Sequence, residues 1–204
     1  MRLVMLRNVI LATLALSRVA AAQTNYAKFY SGNFDWRTSL GMTGTPSDGS
    51  VGKAVEDVSV AIVAGKATCK GTYHDTEDTY QAGKLISRAT TVGSIAGPGY
   101  ALIEFGVGTD TLPGQPIYTI TVSCPTFSGT VTSQSFVPGG SGSTDQIKAQ
   151  PAEQGHHEWS TYSVLDTGKG QLLKGSTNYP HPDNDPANNV VATVVLTWSL
   201  TRIP

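Results

Sequence analysis

The sequence has no long hydrophobic run. Its most apolar stretch, Val9 to Leu16, is eight residues long, whereas a membrane-spanning helix needs about 20 apolar residues. This absence excludes a spanning helix of the usual kind. We therefore predict that the mature chain has no membrane span.

The same short run has the flanks of a secretory signal. Arg2 and Arg7 precede it, and the small residues Ala20-Ala21-Ala22 follow it before Gln23. A basic start, a short apolar centre and a small-residue cleavage site are typical of a signal peptide. We predict that residues 1–22 are removed and that the protein is secreted or periplasmic; the alternative is a buried N-terminal strand or helix.

Charged side chains are also scarce, at 14% of the 204 residues. Cleavage after residue 22 would remove three of the 14 Lys and Arg, leaving 11 against 15 acidic residues and a net charge of about −4. Nucleic-acid binding requires clustered basic side chains. The charge balance therefore argues against a nucleic-acid partner.

Several motifs that carry chemistry are missing. The sequence contains no His-Glu-x-x-His, no Gly-x-Ser-x-Gly and no Gly-x-Gly-x-x-Gly, which mark zinc proteases, serine hydrolases and dinucleotide sites respectively. We predict no cofactor. An Asn-x-Ser/Thr acceptor for glycosylation is also lacking, which favours a bacterial origin for an exported chain.

Only two cysteines are present, Cys69 and Cys124. In an oxidising compartment a pair of cysteines favours a disulfide over a metal site. Both residues lie in alternating runs, so we predict a Cys69–Cys124 disulfide between two strands. Two unpaired thiols are the alternative.

Alternating apolar and polar residues dominate the rest of the chain. From Ile117 to Pro125, the residues Tyr118, Ile120, Val122 and Cys124 share one face, which is the pattern of a half-buried strand. The same alternation predicts three more strands, at His157 to Asp166, Gly170 to Tyr179 and Asn189 to Ile203. Gly97-Pro98-Gly99 has the composition of a turn.

About ten such strands separated by Gly- and Pro-rich segments predict an all-β fold. We expect an antiparallel β-sandwich, Ig-like or jelly-roll-like, with one disulfide. Residues 23–204 would form a single domain with a flexible loop at about 137–151, since that segment is Gly- and Ser-rich. A hinge between two subdomains is the alternative reading of this loop.

The end of the chain resembles a known family. Asp183-Asn184-Asp185-Pro186-Ala187-Asn188-Asn189, followed by the alternating run to Val195, resembles the closing signature of bacterial surface Ig-like repeat domains of the CARDB type. The resemblance covers about 20 residues. It implies a non-catalytic extracellular β-sandwich in which the Asn pair is structural.

Few residues are candidates for chemistry. His74-Asp75 and His157-Glu158 are the densest titratable pairs, and histidine can act as a general base. Asp183, Asp185 and Asn188 offer oxygen ligands suited to Ca²⁺, although Asp and Asn before a strand also cap turns. For the histidines the alternative is a solvated position in a loop or at a strand end.

Aromatic residues are concentrated near the start of the mature chain. Tyr30, Phe34 and Trp36 are candidates for stacking against sugar rings, and the alternative is a first strand that covers the core. Our leading functional hypothesis is an exported non-catalytic binding or cell-surface module with an unknown glycan or protein ligand. The alternatives are a small secreted hydrolase that uses the His/Asp/Glu cluster and a structural subunit of a surface assembly.

Overall fold

The fold is all-β. A computed structural model describes residues 24–42, 47–109, 112–152, 157–165 and 170–204; the predicted signal peptide, residues 1–22, lies outside these ranges. Ten antiparallel strands form one hydrogen-bonded sheet. They are β1 Tyr30–Met42, β2 Gly49–Val63, β3 Lys66–Gln81, β4 Lys84–Val107, β5 Pro116–Cys124, β6 Ser128–Ser135, β7 Ser143–Ile147, β8 His157–Val164, β9 Leu172–Pro180 and β10 Val190–Arg202.

Helical structure in the described ranges is limited to two single 3-10 turns, Ala27–Phe29 and Pro186–Asn188. None of the helices described there is long and apolar enough to cross a membrane. The predicted all-β class with about ten antiparallel strands is therefore confirmed.

The late strands form because their side chains alternate. In β10, Ala192, Val194, Leu196, Trp198 and Leu200 are all buried, while each of the residues between them is partly or fully exposed. Burying one face of a strand against a core offsets the entropy of ordering the backbone. The strands predicted around residues 117–125, 157–166, 170–179 and 189–203 are confirmed as β5, β8, β9 and β10.

Strands β1 to β4 follow one another as a meander, and β10 pairs with the free side of β1. Strand β4 has two partners along its length. Residues 87–94 pair with β6, and residues 100–107 pair with β5. β8 then adds to β5, so the sheet divides at β4 into two branches.

The division falls at Gly97-Pro98-Gly99, and the prediction of a turn there is wrong. These residues continue β4 and pair with Ala67, Thr68 and Cys69 of β3. A Cβ on Gly99 would lie 2.6 Å from both the Cys69 sulfur and the Ser123 carbonyl oxygen. Glycine lets the backbones approach closely enough to bend the sheet into a corner.

The disulfide lies on the inner side of this corner. Cys69 and Cys124 are bonded to each other, their Cα atoms are 5.9 Å apart, and both residues are buried. Two strands separated by a third in a flat sheet would lie about 9.5 Å apart. The corner brings β3 and β5 within bonding distance, and the predicted disulfide is confirmed.

Beyond the corner, the β5 and β8 branch folds over β1 and β10. The indole N–H of Trp198 in β10 donates to the hydroxyl of Tyr118 in β5 at 2.9 Å. The rings of Trp36 in β1 and Trp159 in β8 have centroids 6.3 Å apart. One continuous sheet thus supplies two packed layers with the core between them.

Two other segments differ from the sequence patterns. The region from Leu40 to Gly52 has the Gly-rich composition of turns, yet it contains the end of β1 and the start of β2. The segment at 137–151, predicted as a loop, includes the short edge strand β7. The strand residues in both regions lack strong alternation, and pairing with a neighbouring strand keeps them extended.

Candidate functional site

The outer face of the branch formed by β4, β5 and β8 carries a concave site. Ala101, Ile103, Tyr118, Ile120 and Val122 point into the core. The residues between them therefore point outward. Tyr100 of β4 pairs laterally with Ser123 of β5, which pairs with Glu158 of β8.

A strap formed by residues 149–152 crosses the end of this face. The amide of Gln150 donates to the Thr126 hydroxyl at 2.7 Å, and the Thr126 amide donates to the Gln150 carbonyl at 3.0 Å. The Ser123 hydroxyl donates to the Ala152 carbonyl at 3.2 Å. Three hydrogen bonds therefore hold the strap above the strands.

Between the strap and the strands is a cleft of about 730 Å³. This volume is in the range of small-molecule sites, which is about 300–1,000 Å³. Hereafter "the cleft" refers to this space. Its lining residues are Ala96, Pro98, Gly99, Tyr100, Ser123, Pro125, Ala149, Gln150, Pro151, Ala152 and Glu158.

The lining combines one aromatic ring with a few polar groups. Tyr100 is 50% exposed, so part of its ring is available to a ligand. Glu158 is exposed and brings a carboxylate, and Gln150 brings an amide that can both donate and accept. Prolines 98, 125 and 151 add rigid apolar walls. The arrangement can hold a ligand that has both apolar faces and hydroxyl groups.

Farther along the same outer face, the Thr121 and Ser160 hydroxyls are hydrogen bonded to each other at 2.7 Å. One carboxylate oxygen of Glu104 is buried with no hydrogen-bond partner among the described residues. Tyr162, which is 55% exposed, lies on this face but outside the cleft. The face therefore offers polar groups beyond the cleft.

The four catalytic candidates lie on two strands that do not pair. His74 and Asp75 lie in the interior of β3, where they pair laterally with Val92 and Thr91 of β4. Glu158 lies on β8, in the cleft. The side chain of His157 is outside what the structure describes. Neither His74 nor Asp75 lines the cleft that Glu158 lines.

The three stacking candidates Tyr30, Phe34 and Trp36 are buried. Phe34 and Trp36 contact each other edge to face, with ring centroids 6.4 Å apart. The indole N–H of Trp36 donates to a carboxylate oxygen of Glu56 at 2.7 Å. Their surroundings are core side chains, so these rings form no exposed row.

The calcium candidates lie in the connection before β10. Asp185 forms an isolated bridge with Val190, and the Asp183 amide donates to Nδ1 of His181 at 3.2 Å. The Asn188 side chain is outside the described set. Across the described ranges, no three His, Cys, Asp or Glu side chains converge in a way that could hold a metal ion.

Strong charge pairing is found at a different place, on the β3–β4 ladder. The Arg88 guanidinium donates to both carboxylate oxygens of Asp78, at 2.6 and 2.8 Å. This hydrogen bonding holds the pKa of Asp78 below its usual value. Elsewhere burial raises the pKa of the Tyr179 hydroxyl.

Sequence patterns missed the cleft because its residues come from three strands and the strap. One local signal was available. Tyr100 is out of phase with Ala101 and Ile103, which are buried, so an exposed tyrosine on β4 follows from alternation. Comparison of the chain with protein-family profiles, curated proteins and solved structures finds no match.

Proposed function

We propose that this protein is an exported, non-catalytic β-sandwich binding module that recognises a glycan in the cleft. The observation that carries the proposal is the half-exposed ring of Tyr100, which lines a cleft of about 730 Å³ together with Glu158 and Gln150. A protein ligand is the competing form of the same hypothesis.

The chemistry of a sugar fits these groups. A pyranose ring has an apolar face of C–H groups, which packs on the flat face of an aromatic ring. Its hydroxyls both donate and accept, so they pair with a carboxylate such as Glu158 and an amide such as Gln150. The rigid proline walls lower the entropy cost of binding because little of the cleft must become ordered.

Two further observations support a location outside the cytoplasm. The Cys69–Cys124 disulfide persists in oxidising compartments, and residues 1–22 have the pattern of a signal peptide. The resemblance of Asp183 to Val195 to CARDB-type domains adds a cell-surface context. In the structure, residues 183–189 of this segment lead into β10, and Val190 to Val195 belong to the strand itself.

A second candidate is a structural subunit of a surface assembly. It is favoured by the edge strand β7, in which Ser143 to Gln146 are exposed. Among the described strands β7 pairs only with β6, so its other edge is open to a strand of another chain. Light scattering at increasing protein concentration would then show assembly.

The glycan proposal is tested by screening the purified protein on a glycan array. Binding to at least one glycan is expected. With that glycan, Tyr100→Ala lowers affinity by about tenfold or more, since exposed aromatic rings often dominate binding energy. Glu158→Gln lowers the affinity for the glycan as well, because a sugar hydroxyl loses a charged hydrogen-bond acceptor.

The matched control is Tyr162→Ala, which removes an equally exposed tyrosine from the same outer face but outside the cleft. Its affinity should equal that of the unmodified protein. The proposal fails if no glycan binds, or if Tyr162→Ala weakens binding as much as Tyr100→Ala does. Hydrolysis of the bound glycan would contradict a non-catalytic role.

A further inference from the structure

A second cavity lies at the opposite end of the β4–β5–β8 layer from the cleft. It is lined by Tyr26, Phe29, Tyr30, Phe105, Leu165 and Arg202, and we call it the aromatic pocket. Its volume is about 230 Å³. A cavity of about 150 Å³ accommodates benzene, so this one has room for a single ring with one small substituent.

The N-terminal segment that builds one wall is held firmly. The Tyr26 amide donates to the Ile103 carbonyl at 2.8 Å, and the Asn25 side chain donates to the Ala101 carbonyl at 3.0 Å. At the other end of the segment, the Ile203 amide donates to the Phe29 carbonyl at 2.8 Å. The pocket is therefore largely formed before any ligand arrives.

Aromatic rings supply the walls. Tyr26 meets Phe105 edge to face with ring centroids 5.1 Å apart, and Tyr30 lies 6.3 Å from Phe105. The Tyr30 hydroxyl donates to the Gly170 carbonyl at 2.5 Å, so its polar atom is already satisfied. Much of the wall is thus aromatic and suited to contact with a hydrocarbon ring.

The rim is cationic. The Lys28 ammonium lies 4.9 Å from the centroid of the Phe29 ring, and the Arg202 guanidinium lies 6.0 Å from it. The salt bridges found among the described residues involve neither Lys28 nor Arg202. A guanidinium at the mouth of an aromatic-walled pocket can donate two parallel hydrogen bonds to a carboxylate.

The electrostatics of Tyr30 agree with this placement. Burial raises the pKa of the Tyr30 hydroxyl, and the charge of Arg202 opposes the increase. The positive charge of Arg202 therefore acts on a group inside the pocket as well as at its rim.

We infer that the aromatic pocket binds a small carboxylate with a single hydrophobic ring, with the ring against Phe105 and the carboxylate on Arg202. This site is separate from the glycan cleft and does not depend on it. A neutral ligand of the same size gains the apolar contacts only. A carboxylate also gains charge-assisted hydrogen bonds.

The test is a titration of the isotope-labelled protein with sodium benzoate, followed by NMR at constant ionic strength. Saturable shifts are expected for the backbone amides of Leu165 and Ile203, which lie in or beside the pocket. Benzyl alcohol, which has the same ring and no charge, should bind about tenfold more weakly, because a hydrogen bond to a charged group contributes that much or more.

Variants separate the two parts of the site. Arg202→Gln should lower benzoate affinity about tenfold, Arg202→Lys should restore part of it, and Leu165→Trp should abolish binding by filling the cavity. The control Arg37→Gln removes a guanidinium that pairs with Asp57 on another face, and it should leave benzoate affinity unchanged. The inference is overturned by the absence of saturable shifts, by equal binding of benzyl alcohol, or by unchanged binding in Arg202→Gln.

Discussion

At the scale of single residues, the contact between Trp36 and Glu56 shows how the core accepts a polar group. Glu56 is buried, and its Oε1 atom accepts a hydrogen bond from the indole N–H of Trp36 at 2.7 Å. Burying a polar group without a partner is costly. The hydrogen bond therefore explains why a tryptophan and a glutamate occupy adjacent strands here.

Replacing Trp36 with phenylalanine keeps an aromatic ring and removes the donor. We expect the free energy of unfolding to fall by about 2–3 kcal/mol, since the carboxylate loses a partner and the ring loses volume. Urea denaturation followed by fluorescence measures this value. The neighbouring Arg37→Gln, which breaks an exposed ion pair, should leave stability almost unchanged; equal losses in both variants would contradict the argument.

At the scale of elements, strand β4 organises the molecule because it has different partners in its two halves. Its first half extends the sheet to β6 and β7, and its second half carries β5 and β8. The change of partner occurs at a corner where glycine is required by close contacts with Cys69 and Ser123. The corner therefore determines where the second layer lies and where the cleft opens.

A methyl group at the corner should disturb this arrangement. Gly99→Ala is expected to lower the free energy of unfolding by about 1–3 kcal/mol, because its Cβ would overlap backbone and sulfur atoms. Gly106→Ala in the same strand is the matched control, since a Cβ there meets nothing within 4 Å. Chemical denaturation of both variants provides the comparison, and equal stability of the two would show that the corner tolerates side chains.

At the scale of the whole molecule, one disulfide joins strand β3 to the branch formed by β5 and β8. Cys69 and Cys124 are 55 residues apart in the chain, and they belong to strands that do not pair with each other. Beyond the corner, contacts between the layers are made by side chains such as Trp198 and Tyr118. The disulfide is the covalent link between these layers.

The double variant Cys69→Ala with Cys124→Ala should lose about 4 kcal/mol of stability, the chain-entropy estimate for a loop of this length. Thermal and urea denaturation of the variant and the oxidised protein give the difference. Mass spectrometry provides the companion measurement: reduction should add two hydrogens to the unmodified protein. An unchanged mass, or unchanged stability in the variant, would contradict the role assigned to the disulfide.

Sequence alone determined the features that depend on local patterns. Alternation identified β5 and β8 to β10, since burial of every second side chain needs no knowledge of the partner strand. The pairing of Cys69 with Cys124 also followed, because the chain has only two cysteines. The buried positions of Phe34 and Trp36 agree with one of the two readings of the aromatic stretch.

The tertiary structure alone decided the corner and the cleft. Gly97-Pro98-Gly99 has the composition of a turn, yet hydrogen bonds with β3 hold it in a strand. Tyr100, Gln150 and Glu158 come together only because β4 changes partner and the strap folds back. Pairing between strands distant in sequence depends on the whole chain, so no local pattern could place these three residues in one site.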